Sequence, residues 1–468
     1  MKNIKLSQRS LRLKAEDAGG ELPRPLQTSV TEPALTVGQV GNSLSYSYWF
    51  IPTLMTAIAA GLAFATLTLD RIVEFNSTGS LSLLYAGEAQ SARTLLSTIA
   101  GTAISVAATT FSIVIVALTL TSSQFGPRLL RNFMRNTGNK VVLGTFAARF
   151  LYCLLILQTI QGGKQNVFLP QISATVGILL AITSIGLLIY FIQHAVSSIQ
   201  AGNIIDDVGT DLDKNITLLF PKKARYNQTA SRGVEEIPSE QELSPILATG
   251  SAYIEEIDIN RLLKIATSSD LLLRLKHRPG RFIVQGDELA MVCYKEGVNN
   301  KLTRQINNQF ILSKQRDAQQ DIEFQINQLV EIAICAISPP SNPFTVIRCM
   351  DQLSVGLCHL AEREIPSSNY YDDNHKLRLI VNQVTFAGVT DNAFDVIRKY
   401  GRLHASVIIS LLEIIANVAQ RTRHQKQRTV LLDHVQAIEC DSREIAFDQR
   451  DQKKIEGRYQ AAVKALEQ

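Results

Sequence analysis

Charge is what this 468-residue chain has least of. Charged side chains make up 19% of it, and no Asp, Glu, Lys or Arg occurs between Pro33 and Leu69, Thr94 and Pro127, or Gln165 and Ile205. Each stretch exceeds the roughly 20 residues that cross a bilayer, which excludes an ordinary soluble enzyme. A hydrophobic content of 46% excludes a disordered or collagen-like chain. No C-x-x-C spacing links Cys153, Cys293, Cys335, Cys349, Cys358 and Cys440. Five of them follow the last apolar stretch, and they read as reduced, buried residues. With 47 basic and 42 acidic side chains, neither sign dominates, and nucleic acid is not an expected partner. Lys2, Lys5, Arg9, Arg12 and Lys14 run into polar, Gly-Gly and Pro-containing sequence, so no cleaved signal peptide is expected.

Reactive constellations are missing as well. There is no H-E-x-x-H, G-x-S-x-G, Walker-type or G-x-G-x-x-G pattern. Cys358-His359 and Asp433-His434 are neighbours in sequence, and adjacent side chains on a helix point apart. No enzyme activity, cofactor or metal is therefore expected.

What is present is a set of four spans, at about Tyr46 to Leu69, Leu95 to Leu120, Lys140 to Lys164 and Ile172 to Ser197. Tyr46, Tyr48 and Trp49 open the first in the manner of residues at a headgroup boundary. The loop between spans two and three carries Arg128, Arg131, Arg135 and Lys140, whereas the one between spans three and four carries only Lys164. Positive loops stay cytoplasmic, which predicts a multi-pass protein of the bacterial inner membrane with both termini inside. The expected fold class is an α-helical integral membrane domain of four spans followed by an α+β cytoplasmic domain, with a small antiparallel sheet and a helical bundle. Its expected divisions are a polar tail over 1–45, the spans over 46–200, a linker over 201–249, a β-rich subdomain over 250–312 and a helical subdomain over 313–468.

Thr98, Thr102, Ser105, Thr109, Ser112 and Thr119 recur at three- and four-residue steps or their multiples along span two, with Gly101 and Ala108 beside them. Two readings stay open. Hydroxyls can replace part of an ion's hydration shell in a water-filled path, and small or hydroxylated residues also let membrane helices pack closely. Arg149 interrupts span three, where a guanidinium facing lipid costs about 2.5–3.5 kcal/mol. Snorkelling to the headgroups is the expected solution, with a polar cavity or anion contact as the alternative. His194, near the inner end of span four, reads as an interfacial hydrogen-bonding residue.

Beyond the spans, Ile205 to Pro245 is charge-mixed and reads as linker and loop. Short apolar runs around Tyr253, Ile254 and Ile257, then Leu271 to Leu275, Arg281 to Val284 and Leu289 to Cys293, predict strands, with a hairpin turn at Gly286-Asp287. After Arg316 the period is helical. Asn342 as N-cap and Pro343 in the first turn start one helix, and others are expected over His375 to Ala387, Asp391 to Tyr400, Arg402 to Gln420 and Val430 to Glu439, ahead of a frayed C-terminus. Glu323 and Glu331 read as solvated or capping acids. A helix stop with a basic anchor is expected over Ser122 to Arg128, because Pro127 disfavours helix at Gly126; a gate at the inner mouth is the alternative.

Several segments together resemble one family. They are Ser122-Ser123-Gln124-Phe125-Gly126-Pro127-Arg128, Leu143-Gly144-Thr145-Phe146 with Phe150-Leu151-Tyr152, and Phe191-Ile192-Gln193-His194 with Ser198-Ile199-Gln200. Asp321, Glu323-Phe324, Gln328 to Ala333, Ser338-Pro339 and Asn342-Pro343-Phe344-Thr345 complete the pattern. Over roughly Ser45 to Val418 the chain resembles the bacterial predicted membrane proteins called domain of unknown function 2254. The resemblance implies a membrane protein and no established activity. Two positions depart from it: the family pattern has an acid before Pro343 that is missing here, and a small or hydroxylated residue where Arg149 stands. The function expected is an oligomeric channel or transport-related protein, with the lipid bilayer and further copies of the chain as partners. The alternative is a membrane-anchored interaction or sensing module whose cytoplasmic domain binds a partner protein.

Overall fold

A computed structural model of the chain describes residues 49–72, 89–125, 137–160, 170–198, 200–222, 243–293, 299–316, 320–338 and 341–467. Four helices come first: α1 (Phe50–Ile72), α2 (Ala89–Phe125), α3 (Thr137–Thr159) and α4 (Gln171–Ser198). Each is long and apolar enough to cross a membrane. At 1.5 Å per residue, the 37 residues of α2 reach about 55 Å, well past the roughly 30 Å of a hydrocarbon core. Tyr46, Tyr48, Lys164, Gly126, Pro127, Arg128, Arg131 and Arg135 lie outside the described residues, as does the expected polar tail; Lys140, expected in the basic loop, instead lies buried in the first turn of α3.

The four helices meet through small side chains. Ala59 and Ala63 of α1, Ala92 and Ala100 of α2, and Cys153 of α3 form one buried cluster with Leu96, Tyr152 and Ile156. Large hydrophobics such as Ile58, Phe64, Val116, Ile182 and Ile189 are exposed on the outside of the bundle. An apolar exterior of this kind suits lipid and would be unstable in water.

The expected linker contains a helix. α5 (Ala201–Leu219) begins three residues after α4 ends and buries Ile205, Val208, Leu212 and Ile216 in the C-terminal core. Its acids flank or oppose that face, Asp206 and Asp213 pairing with Arg348 and His359, and their number is why the segment reads as loop by charge alone. α8 (Ile322–Ile337) and α9 (Pro343–Ala361) pack against it. A Cβ at Gly356 would sit 2.7 Å from Leu212 Cδ2, so glycine is what lets α9 approach α5 this closely. α10 (Phe386–Gly401), α11 (Ala405–Arg421), α12 (Gln425–Arg443) and α13 (Gln449–Glu467) complete the bundle. The last is no frayed end, since Ile455, Ala462 and Leu466 are buried in the same core.

Between α5 and α8 lie β1 (Ser244–Leu247), β2 (Ala252–Ile257), α6 (Ile259–Ser268), β3 (Leu272–Leu275), β4 (Phe282–Ile283), β5 (Glu288–Cys293), α7 (Asn300–Asn307) and β6 (Phe310–Ser313). Two further strands, β7 (Asn369–Tyr371) and β8 (Leu377–Ile380), come from the segment between α9 and α10. β8 and the irregular segment after it stand where a helix is expected over His375 to Ala387, of which only Phe386 and Ala387 are helical. The strands form two sheets, ordered β1-β5-β3-β8-β7 and β4-β2-β6. All pairings are antiparallel except β3 with β8, so the β region is not one contiguous subdomain. Gly286 does turn the chain with φ 92°, but β4 and β5 on either side of it belong to different sheets, and the expected hairpin is instead a crossover. α6 and α7 bury Leu262, Ala266, Leu302 and Ile306 in the core that both sheets share.

Candidate functional site

The inner face of α2 is mostly apolar, with Thr110 buried in it, and the outer face carries the stripe of hydroxyls. Ala92, Leu96, Ala100, Ala103, Val114 and Ala117 are buried. Thr98, Thr102, Ser105, Thr109, Ser112 and Thr119 are all exposed. Five of the six donate to their own helix: Thr98 to the Thr94 carbonyl (2.9 Å), Thr102 to Ile99 (3.0 Å), Ser105 to Gly101 (3.2 Å), Thr109 to Ser105 (3.0 Å) and Thr119 to Ile115 (2.9 Å). Each hydroxyl is thereby satisfied without a neighbouring helix and keeps its oxygen as an acceptor. The packing alternative inside the chain is not what these residues do; the buried alanines perform it together with Leu96 and Val114.

The column is longer than the sequence pattern suggested. Thr94 donates to the Gln90 carbonyl at 2.9 Å, and Gln90, Ser91, Thr94 and Thr98 edge an open depression of about 500 Å³ along α2. Thr94 fits the same four-residue step but adjoins Arg93, which hid it at the boundary of the charge-free stretch.

Behind this helix sits Arg149, halfway along α3. It does not snorkel. Its side chain is 95% buried, donates to the Ser184 hydroxyl of α4 and to the Ile99 carbonyl of α2 (3.4 Å), and lies 5.6 Å from the Phe146 ring centroid. Two acceptors from two helices and a cation–π contact hold the guanidinium inside the bundle, which outweighs the reach to the surface. Its Nε has no partner, and among the described residues no carboxylate pairs with it. The positive charge thus stands uncompensated behind α2.

Nearer the end of α3, a second polar group ties three helices. Tyr152 lies one turn after Arg149; its hydroxyl is 3.1 Å from the Thr66 hydroxyl and donates to the Ser173 carbonyl at 3.0 Å. Asp70, at the end of α1, accepts from the backbone of Ile172 (2.9 Å) and Ser173 (3.0 Å) and from the Ser173 hydroxyl (2.6 Å). These are first-turn amides of α4, so Asp70 caps that helix from outside it and puts a negative charge at its positive end. Nothing in the local sequence around Asp70 announces a partner about 100 residues away.

The remaining sequence candidates are spread out. Ser122 is half-buried, and Ser123, Gln124 and Phe125 form the last turn of α2. His194 stacks on Tyr190 with ring centroids 5.6 Å apart, one turn from the end of α4. Asn342 caps α9 by accepting from the Thr345 amide at 3.4 Å, with Pro343 at the first helical position and Phe344 exposed beside it. Glu323 is neither solvated nor a cap: it is buried and paired with Arg278 at 2.5 Å, next to an Arg316–Asp321 pair at 2.6 Å. The cysteines are unpaired, but only Cys153 and Cys349 are buried as expected; Cys293, Cys335 and Cys358 are half-buried and Cys440 is exposed. Asp270, hydrogen-bonded by Lys376 and then Arg378, has its carboxyl held down at about 2. No group of three or more His, Cys, Asp or Glu side chains among the described residues could hold a metal.

Residues 45–417 match the family described as predicted membrane protein, domain of unknown function 2254. The chain belongs to that family. Uncharacterised proteins of Mycobacterium bovis and Mycobacterium tuberculosis are 29% identical to this family member over 433 residues, which covers 91% of it and 81% of each of them. No solved structure matches. The apolar exterior of α1–α4 and the membership agree, and the protein is a predicted membrane protein with four apolar helices followed by a helical domain with small sheets.

Proposed function

We propose that this membrane protein works as an oligomer in which the hydroxyl faces of α2 from several copies enclose a path for ions or small polar solutes across the bacterial inner membrane. The observation that carries this reading is the outward column from Thr94 to Thr119. The hydroxyls are satisfied by their own helix, and because their oxygens can still accept, a continuous face of them turned away from the bundle is suited to meet another polar face or water. Four helices packed through alanines and large side chains such as Leu96, Phe146 and Tyr152 leave no path of their own, so the path requires further copies. The basic loop after α2 supports an orientation with both termini in the cytoplasm.

The paired substitution Ser105→Val and Thr109→Val tests it. Thr109→Val keeps its size and Ser105→Val adds one methyl group on an exposed face, while the polar lining is lost. Flux through reconstituted vesicles falls while the oligomer, weighed in detergent, stays intact. Undiminished flux in an intact oligomer would refute the path.

A second reading has its own support. α2 touches α8, and α4 continues into α5, whose apolar face belongs to the C-terminal core. A partner bound to that domain would act directly on the apolar helices, as a sensing module requires.

A further inference from the structure

The family-like segment Asn342-Pro343-Phe344-Thr345 takes part in none of the polar groups described above, yet Phe344 is 83% exposed at the start of α9. Its height relative to α4 can be read from side-chain pairs. Asp206 of α5 meets Arg348 (2.5 Å) and Gln352 (3.0 Å), Asp213 meets His359, and Thr217 meets Arg363 (3.0 Å). These partners are separated by 142 or 146 residues throughout, so α5 and α9 run parallel. The same offset sets Phe344 level with Ser198–Gly202, the junction where α4 ends and α5 begins. A residue there stands at the surface of the bilayer that α4 crosses.

Neighbouring chain ends fall at the same level. The Asn342 amide donates to the Ala336 carbonyl at 2.7 Å, so α8 ends where α9 begins. A Cβ on Gly401 would lie 3.6 Å from Ile337 Cδ1, which places the end of α10 beside the end of α8. That end exposes Tyr400 (60%) and Leu403 (66%), flanked by exposed Lys399 and Arg402. Neither cation has an ion pair among the described residues.

We propose that this end of the C-terminal domain rests on the bilayer, with Phe344, Tyr400 and Leu403 entering the headgroup layer and Lys399 and Arg402 holding anionic lipid headgroups. Aromatic side chains are favoured at that depth, and basic residues beside them are attracted to anionic lipid. The occupant is lipid because the patch continues directly from the end of a span and because its unpaired charges are all positive. This rests on α4 crossing a bilayer and on no view of what passes through the protein.

The test uses the full chain in vesicles of phosphatidylcholine with about one-third phosphatidylglycerol. Trp49 is the single tryptophan, so Trp49→Phe gives a silent background. In it, Phe344→Trp is expected to emit at short wavelength and to be quenched by lipids brominated near the glycerol, more strongly than by lipids brominated at the chain end. Exchanging Lys399 and Arg402 for Gln should lower the preference for brominated phosphatidylglycerol over brominated phosphatidylcholine by up to about fivefold for each cation. Leu403→Trp repeats the measurement if Phe344→Trp does not fold. Emission typical of water, or short-wavelength emission that no brominated lipid quenches, would overturn the proposal; the latter would mean that protein covers the patch. Ile182→Trp, on the exposed face of α4, separates the two premises. If it is quenched from the chain end and Phe344→Trp is not quenched at all, only this proposal fails; if neither is quenched, the span itself fails.

Discussion

In α1–α4 many buried positions hold small residues and hydroxyls such as Ala63, Ala92, Ala103, Ser173 and Ser184 beside a few large side chains such as Leu96, Phe146, Tyr152 and Phe191, whereas in α5 and α8–α13 Leu212, Leu353, Phe394, Leu411 and Ile415 are typical. Many large hydrophobics of the first group, Ile58, Val116, Ile182 and Ile189 among them, face outward. Lipid is as apolar as leucine, so burying leucine between membrane helices brings little, and close approach with a few polar ties decides the packing. In water the same exchange is the main source of stability. The difference also bears on charge. Arg149 is accepted inside the apolar bundle with a hydroxyl and a carbonyl for partners, while the buried charges of the C-terminal half, Glu323 and Arg378 among them, have counter-ions.

The contrast breaks down if substitutions do not follow it. Leu353→Ala, in the C-terminal core, should have the largest effect and cost about 2–5 kcal/mol, read from chemical denaturation of that domain in detergent-solubilised protein. A loss below 1 kcal/mol by that reading would show that this core is not packed as a water-soluble one. Asp70→Ala leaves two first-turn amides of α4 without their acceptor, and a cost of about 1–3 kcal/mol is expected in the thermal midpoint of the solubilised protein. An unchanged midpoint would mean water replaces the carboxylate freely. Asn342→Ala should cost about 1 kcal/mol, because only one cap bond is lost and Pro343 still starts the helix; no shift in denaturation would place the start of α9 elsewhere. Arg149→Met should change stability least. It removes a buried cation together with its partners' obligations, since Ser184 still donates to the Ala181 carbonyl and a methionine fills similar space. A large loss there would make Arg149 a structural clamp and remove it from any account of the path.

Much of this was legible in the sequence, and what was missed has identifiable causes. The four apolar helices, the cap at Asn342 and the unpaired cysteines follow from local composition. The orientation of α2 does not, because Ala92, Leu96, Ala100 and Ala103 keep the same three- and four-residue steps as the hydroxyls, and the period alone does not say which stripe turns inward. α5 was masked by Asp206, Asp207, Asp211 and Asp213, although Ile205, Val208, Leu212 and Ile216 carry a clear helical period. β8 is a four-residue strand whose parallel partner β3 lies about 100 residues earlier, a non-local pairing with no local signal. Arg149 was read as a snorkelling residue because its acceptors, one backbone carbonyl and one serine of another helix, leave no mark near it.

The outward hydroxyl face of α2 is the claim on which the functional account stands, and thiol accessibility tests it most directly. In a cysteine-free background, Ser105→Cys and Ala103→Cys are exposed in intact membranes to a charged thiosulfonate reagent that does not cross lipid. The reagent attacks the thiolate, which forms only where water reaches the sulfur. The account predicts that the thiol introduced at position 105 is modified and the one at position 103 is protected. Protection at both positions would contradict it, since the hydroxyl face would then meet lipid or protein and line no path.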